Sequence, residues 1–208
     1  MEGIKPLAVL GFKGSGFFSN TVRRCQKIAN PVMPNVDVTH VGMAVTTKVL
    51  GIDLSDEGVS DEEILIWEST FSDKNLPDIE DHQGIFGVQL RRLKDVVENY
   101  NGGVIYRNLI NEPTEKQLIK AREVFRRERY KSYPVMLIPI LLSAVFNIFI
   151  FLRKMLPDFA KRNMFCSQLV AHTLKKTKIL ELKGNDRNYT PADIINLPIY
   201  SEIKVLKE

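Results

Sequence analysis

The spacing of apolar residues changes along the chain, and each change predicts an element. Leu7 to Phe12 reads as a short strand, followed by a turn at Gly14-Ser15-Gly16 and a helix from about Ser19 to Ala29. The glycines lack a following Gly-Lys-Ser/Thr and do not repeat as Gly-x-Gly-x-x-Gly, so they predict a turn with unusual backbone angles and no phosphate loop. Val38 to Leu50 is rich in β-branched residues and predicts a strand. The polar loop Asp53 to Glu63 separates it from a second apolar run, Ile64 to Trp67, which ends at Glu68. Two strands joined by one loop most simply pair antiparallel.

Further on, Gly87 to Leu90 predicts a strand, Lys94 to Asn101 a helix stopped by Gly102-Gly103, and Val104 to Leu109 a strand. Thr114 with Gln117 three residues later forms a capping-box signature for a charged helix reaching about Tyr130, its Glu and Arg residues alternating on a solvated face. A helix from about Asn163 to Lys176 ends in cations that suit a helix C-terminus. Pro191 opens a short helix, and a closing strand lies near Tyr200 to Leu206. The fold class expected is α+β, a mainly antiparallel sheet packed against helices in one domain over residues 1–208.

Residues 132–152 carry no charge and are flanked by Arg126 to Lys131 and by Arg153-Lys154. The stretch is long enough to span a bilayer. Pro134 and Pro139 disfavour helix in its first third, leaving about thirteen residues and roughly 20 Å against a hydrocarbon core of about 30 Å. Ser143 and Asn147, four apart, place a polar stripe on one face. A buried core helix is the favoured reading, with an interfacial, lipid-contacting surface second and a span third.

Composition narrows the partners. The chain has 208 residues, 44% hydrophobic and 26% charged, with a formal net charge of +4, ordinary for a globular protein. The positive excess is small and scattered, with no basic motif to suggest nucleic acid. Two cysteines, Cys25 and Cys166, exclude a disulfide scaffold, and no Cys-x-x-Cys or His-x-x-x-His spacing suggests zinc. Lone thiols and an N-terminus without a secretory signal pattern lead us to expect a cytoplasmic protein needing no cofactor or metal.

Cys166 carries the strongest chemical signal. Read with Asn163 as N-cap, it falls in the first turn of its helix, where the partial positive charge of the helix end lowers a thiol pKa and the same amides can donate to an oxyanion. A buried cysteine acting as a small hydrophobe is the plainer alternative. Cys25, mid-helix after two arginines, is read as a spectator.

Among the histidines, His172 is six residues further along the same helix, about 240° around and about 9 Å up, so it diverges from Cys166. His82, between Asp81 and Gln83, reads as an exposed turn. His40 sits in a strand where Gly42 and Ala44 share its face, leaving room for a helix end and a substrate. Glu68, ending the next strand, can accept the second imidazole N–H and fix its tautomer. Taken singly, His40 is more often a structural strand histidine and Glu68 a surface carboxylate.

The ordered set is more specific than its parts. A Gly-rich turn, Thr-His-Val-Gly at 39–42, Trp-Glu-Ser-Thr at 67–70, Phe-Cys-Ser-Gln-Leu-Val-Ala at 165–171 and Thr-Pro-Ala-Asp-Ile at 190–194 resembles the circularly permuted branch of the NlpC-type papain-like cysteine hydrolases. Bacterial and poxvirus members look similar over about residues 7–200, and lecithin-retinol acyltransferase relatives share the permuted fold. In that branch the cysteine follows the histidine, as it does here.

The resemblance implies Cys166 as nucleophile, His40 as general base and Glu68 as the orienting residue of a cysteine hydrolase or acyltransferase. The substrate expected is a peptide, amide or lipid acyl group bound through a thioester intermediate, with peripheral membrane contact through residues 132–152 as an option. The alternative is a catalytically silent protein that binds a membrane or partner on the same fold. The charge-free stretch departs from the family's usual pattern, and a single span there is incompatible with His40 and Cys166 sharing a site.

Overall fold

A sheet covered on both faces needs apolar residues at successive positions of its central strands, and the runs Val-Leu-Gly-Phe, Val-Gly-Met-Ala-Val and Leu-Ile-Trp have that character. In a computed structural model, which describes residues 1–70, 76–80, 82, 86–132 and 164–208 apart from the side chains of Phe17 and Phe18, these runs are neighbouring strands. The strands are β1 (Val9–Gly14), β2 (His40–Val45), β3 (Leu65–Thr70), β4 (Gly87–Arg92), β5 (Gly102–Arg107) and β6 (Lys204–Lys207). They form one sheet in the order β4-β3-β2-β1-β5-β6, every neighbouring pair antiparallel.

Among the described residues the helices are α1 (Phe17–Ala29), α2 (Thr47–Leu50), α3 (Leu93–Asn99), α4 (Glu115–Glu128), α5 (Cys166–Lys176) and α6 (Pro191–Ile195). On one face of the sheet Val41, Met43, Leu65, Trp67 and Leu90 pack against Val124 and Phe125 of α4 and Leu169, Val170 and Leu174 of α5. Trp67 and Phe125 meet edge to face at 5.5 Å. On the other, Leu10, Phe12, Ala44 and Ile66 pack against Leu93, Val96 and Val97 of α3.

The capping box expected at Thr114 is formed: its hydroxyl accepts from the Gln117 N–H, and the Gln117 side chain accepts from the Thr114 N–H at 2.9 Å. Three readings are corrected. The strand predicted from Val38 to Leu50 ends at Val45, because the Thr46 hydroxyl caps α2 and Gly51, at φ 65°, stops it. Neither Gly14 nor Gly16 has positive φ; Gly14 ends β1, and a Cβ there would lie 2.3 Å from Ser19 Oγ and 2.8 Å from Tyr100 Oη, so close approach fills the role given to unusual angles. The charged face of α4 is only partly solvated, since Glu128 is buried against Arg127 Nε at 2.9 Å, Lys131 and His172 Nε2 at 3.5 Å.

The readings of residues 133–152 and of Asn163 fall outside the described residues. Among the described residues, no helix is long and apolar enough to cross a membrane. The chain on either side of 133–163 is tied to β4: Ser132 bridges Gly87, the Val88 N–H donates to the Lys131 carbonyl at 2.8 Å, and the Met164 N–H donates to the Ser132 carbonyl at 3.0 Å. The Lys131 carbonyl oxygen lies 2.1 Å from where a Gly87 Cβ would stand. Gly87→Ala should therefore force that segment off β4 and destabilise the protein by about 1–3 kcal/mol. Chemical denaturation reads the shift, and an unchanged midpoint contradicts the packing described.

Candidate active site

The site forms where β2 and β3 part. Their last outer pair is Met43 with Trp67. The Ala44 N–H donates to the carbonyl of Ala8, just before β1, so by antiparallel alternation the Val41 N–H points the other way, into the space beyond that last pair. Into this space comes the first residue of α5, Cys166, with its sulfur receiving the Val41 and Ser167 backbone N–H groups. The Ser69 hydroxyl of β3 donates to the Met164 carbonyl, which, with the Ser132 contact, fixes where α5 begins. Phe165 occupies the N-cap position, and its N–H reaches Gln168 Oε1 at 3.5 Å.

His40 opens β2 opposite Phe12, whose ring lies 5.3 Å from the imidazole, centroid to centroid. The imidazole and the Cys166 sulfur are hydrogen-bonded to each other. The Nε2 atom of His40 bonds Glu68 Oε2, leaving Nδ1 as the ring nitrogen for the sulfur. Glu68 is no surface carboxylate: only 1% of its side chain is exposed, and its second oxygen accepts from Arg91 Nε at 3.0 Å and from Arg91 Nη2. The space over Gly42, on the same face as His40, is filled by Ile66 and Glu68, and a Cβ on it would stand only 2.7 Å from Ile66 Cδ1.

Thus Cys166, His40 and Glu68, far apart in sequence, are brought together. His82 is exposed near Glu57 at 3.3 Å, as a turn histidine should be. His172 turns away from Cys166 to Asp186 Oδ2 at 2.7 Å. Cys25 is half-buried on α1, and burial pushes its thiol up.

Two neighbours went unread in the sequence. Arg91 follows Leu90, where the predicted strand stopped; extending the alternation of β4 would have placed Gln89 and Arg91 on one face. Tyr100, just past α3, meets Phe12 edge to face at 5.0 Å, and burial pushes its hydroxyl up to about 12. Together with Ser19, Thr39 and Thr70 it lines a cavity of about 190 Å³ that opens onto Cys166 and His40. No group of three or more His, Cys, Asp or Glu among the described residues is placed to hold a metal ion.

The charges favour an ion pair. Burial disfavours a Cys166 thiolate, but His40 and the two backbone N–H groups outweigh it and lower the thiol below its ordinary value. Burial likewise opposes the imidazolium, yet the sulfur and Glu68 raise His40 to about 10. Glu68 is held at about 2: burial raises it, and the Arg91 and His40 cations overcome that. The arrangement can supply a nucleophilic sulfur, a proton on the adjacent ring and backbone donors at a helix start.

No protein-family model and no curated protein matches the chain. Among solved structures, the metalloprotein yiiX from Escherichia coli O157:H7, described as DUF1105, is similar, with 14% identity, a TM-score of 0.49, and coverage of 97% of this chain and 88% of that chain.

The sign of these shifts sets a pH profile. A lowered thiol and a raised imidazole keep the ion pair intact across neutral pH, lost on the acid side when the sulfur is protonated and on the alkaline side as His40 passes about 10. Iodoacetamide should modify Cys166 at a rate nearly level through neutral pH, while Cys25 reacts only at alkaline pH. His40→Ala should slow Cys166 at pH 6 at least about tenfold. Mass-spectrometric peptide mapping distinguishes the two thiols, and an ordinary titration near the free-thiol range for Cys166 would refute the ion pair.

Proposed function

We propose that the chain is a cysteine hydrolase or acyltransferase of amide or ester bonds on a permuted, NlpC-type papain-like fold. The observation that carries this reading is the hydrogen bond between a sulfur at a helix start and an imidazole whose other nitrogen engages a buried carboxylate. The chain order, histidine strand before cysteine helix, supports the permuted topology. The six-stranded antiparallel sheet packed against helices is compatible with it.

In this mechanism the Cys166 thiolate attacks the carbonyl carbon, and the carbonyl electron pair moves onto oxygen, to which the Cys166 backbone N–H donates a hydrogen bond. As the tetrahedral species collapses, the bond to the leaving nitrogen or oxygen breaks and His40 delivers its proton there. The acyl group is then a thioester on Cys166. Water, or an acceptor amine or alcohol, loses a proton to neutral His40 and attacks the thioester, and the sulfur leaves as thiolate with the imidazolium restored. Glu68 keeps the ring oriented and stabilises its positive charge throughout.

The cavity limits the acyl portion that enters to something small, since about 190 Å³ accommodates a short side chain or the first carbons of a longer acyl group. A peptide, another amide or a lipid acyl ester satisfies that limit, and membrane contact through residues 132–152 belongs with the last of these.

A panel of peptide anilides and short- and long-chain acyl esters tests the proposal. Cys166→Ala and His40→Ala should abolish turnover, and Glu68→Gln should lower kcat at least about 100-fold with little change in KM. Turnover unchanged in Cys166→Ala, or an inert parent whose Cys166 also titrates as an ordinary thiol, overturns the enzyme reading in favour of a binding protein.

A further inference from the structure

The carboxylate behind the imidazole has a partner of its own. In the β3–β4 register Glu68 stands opposite Gln89, so Arg91, two residues further, shares its face as a diagonal neighbour within reach of a long side chain. The guanidinium directs Nε and Nη2 onto Glu68 Oε1, while His40 takes Oε2. Each oxygen is thereby assigned to one cation. The carboxylate cannot rotate about its terminal bond without losing contacts on both sides.

Burial makes this contact decisive. The Arg91 and Glu68 side chains are 8% and 1% exposed. A carboxylate so far from water takes up a proton unless a cation compensates it, and a neutral Glu68 cannot hold an imidazolium. Among the described residues Arg91 is the one Lys or Arg in an ion pair with Glu68. Of the other ionisable groups, Tyr100 in the cavity wall stays neutral with its hydroxyl pushed up, and Arg23 of α1, close enough to Tyr100 to act on it, donates to the Gly14 carbonyl at 2.7 Å and to Asn20 Oδ1 at 3.1 Å. From β4 to α5 the charges therefore alternate: Arg91 positive, Glu68 negative, His40 positive, Cys166 negative. These four groups together are neutral; without Arg91 the remaining three carry a net negative charge out of water, and the sulfur or the carboxylate must take a proton.

We propose that Arg91 is a positioning residue of this site: acting through Glu68, it keeps the carboxylate anionic and oriented, and so sustains the imidazolium–thiolate pair. The inference rests on the reading of Cys166 as the nucleophile.

The test measures iodoacetamide modification of Cys166 against pH in a Cys25→Ser background. Arg91→Met should raise the midpoint by about one unit, which at pH values below both midpoints reads as modification about tenfold slower. Arg91→Lys keeps the charge without the two-pronged contact and should fall between parent and Arg91→Met. Should Arg91→Met fail to fold, Arg91→Gln, which removes the charge and keeps an N–H donor, should show the same direction. In a Glu68→Gln background, adding Arg91→Met should leave the midpoint where Glu68→Gln put it, which a merely structural role would not predict. The proposal is overturned if Arg91→Lys and the folded neutral variant both superimpose on the parent. A parent that itself titrates as an ordinary thiol defeats the hydrolase reading, whereas a depressed parent midpoint unmoved by Arg91 substitution defeats this inference alone.

Discussion

Glu68 is an anion almost wholly removed from water, and a lone buried carboxylate is among the costliest groups a protein can carry. It persists because Arg91 binds one oxygen and His40 the other. The contacts reach in both directions from β3, to β4 on one side and to β2 on the other, so the carboxylate ties three strands together by side chains where the β2–β3 ladder has opened. The same contacts determine which way the imidazole faces. The chemistry available to Cys166 is thus set by an ion pair in the sheet that the sulfur does not itself touch.

The opening between β2 and β3 is the second constraint. Beyond Met43 and Trp67 the strands no longer pair, and backbone N–H groups there would be costly if left alone. The start of α5 occupies the gap: the sulfur receives the Val41 N–H, and the Met164 carbonyl receives the Ser69 hydroxyl. Unpaired strand ends and helix-start amides are two forms of the same surplus of donors, and one sulfur answers both. Placement of α5 depends in turn on Ser132, held along β4 because Gly87 has no side chain to exclude the Lys131 carbonyl.

A second cluster of ionisable groups joins α4 to α5 on the far side of the helix. Glu128 lies buried among Arg127, Lys131 and His172, and His172 also bonds Asp186. The cluster engages the histidine that shares a helix with Cys166, leaving His40 as the imidazole at the sulfur. Its position also explains why a run of charges that looks like a solvated face conceals one buried acid.

Much of this was legible locally. Thr114 and Gln117 cap α4 as their spacing predicts, Thr190 and Pro191 begin α6, and the strand alternation put His40 on a definable face. Cys166 was readable as a residue of the first helical turn, although the reading needed Asn163 and the structure starts the helix at Cys166 itself. The extent of β2 was misjudged because β-branched residues favour strand only until a cap supplies a competing hydrogen bond, as Thr46 does. Periodicity and capping act over a few residues, so the sequence alone determined which residue types occupy which element and which face. Whether Cys166 meets His40, whether Glu68 is buried, and that Arg91 stands behind it were decided only by strand order, register and the gap between β2 and β3. Those are agreements between segments distant in the chain, and a local pattern holds no record of them.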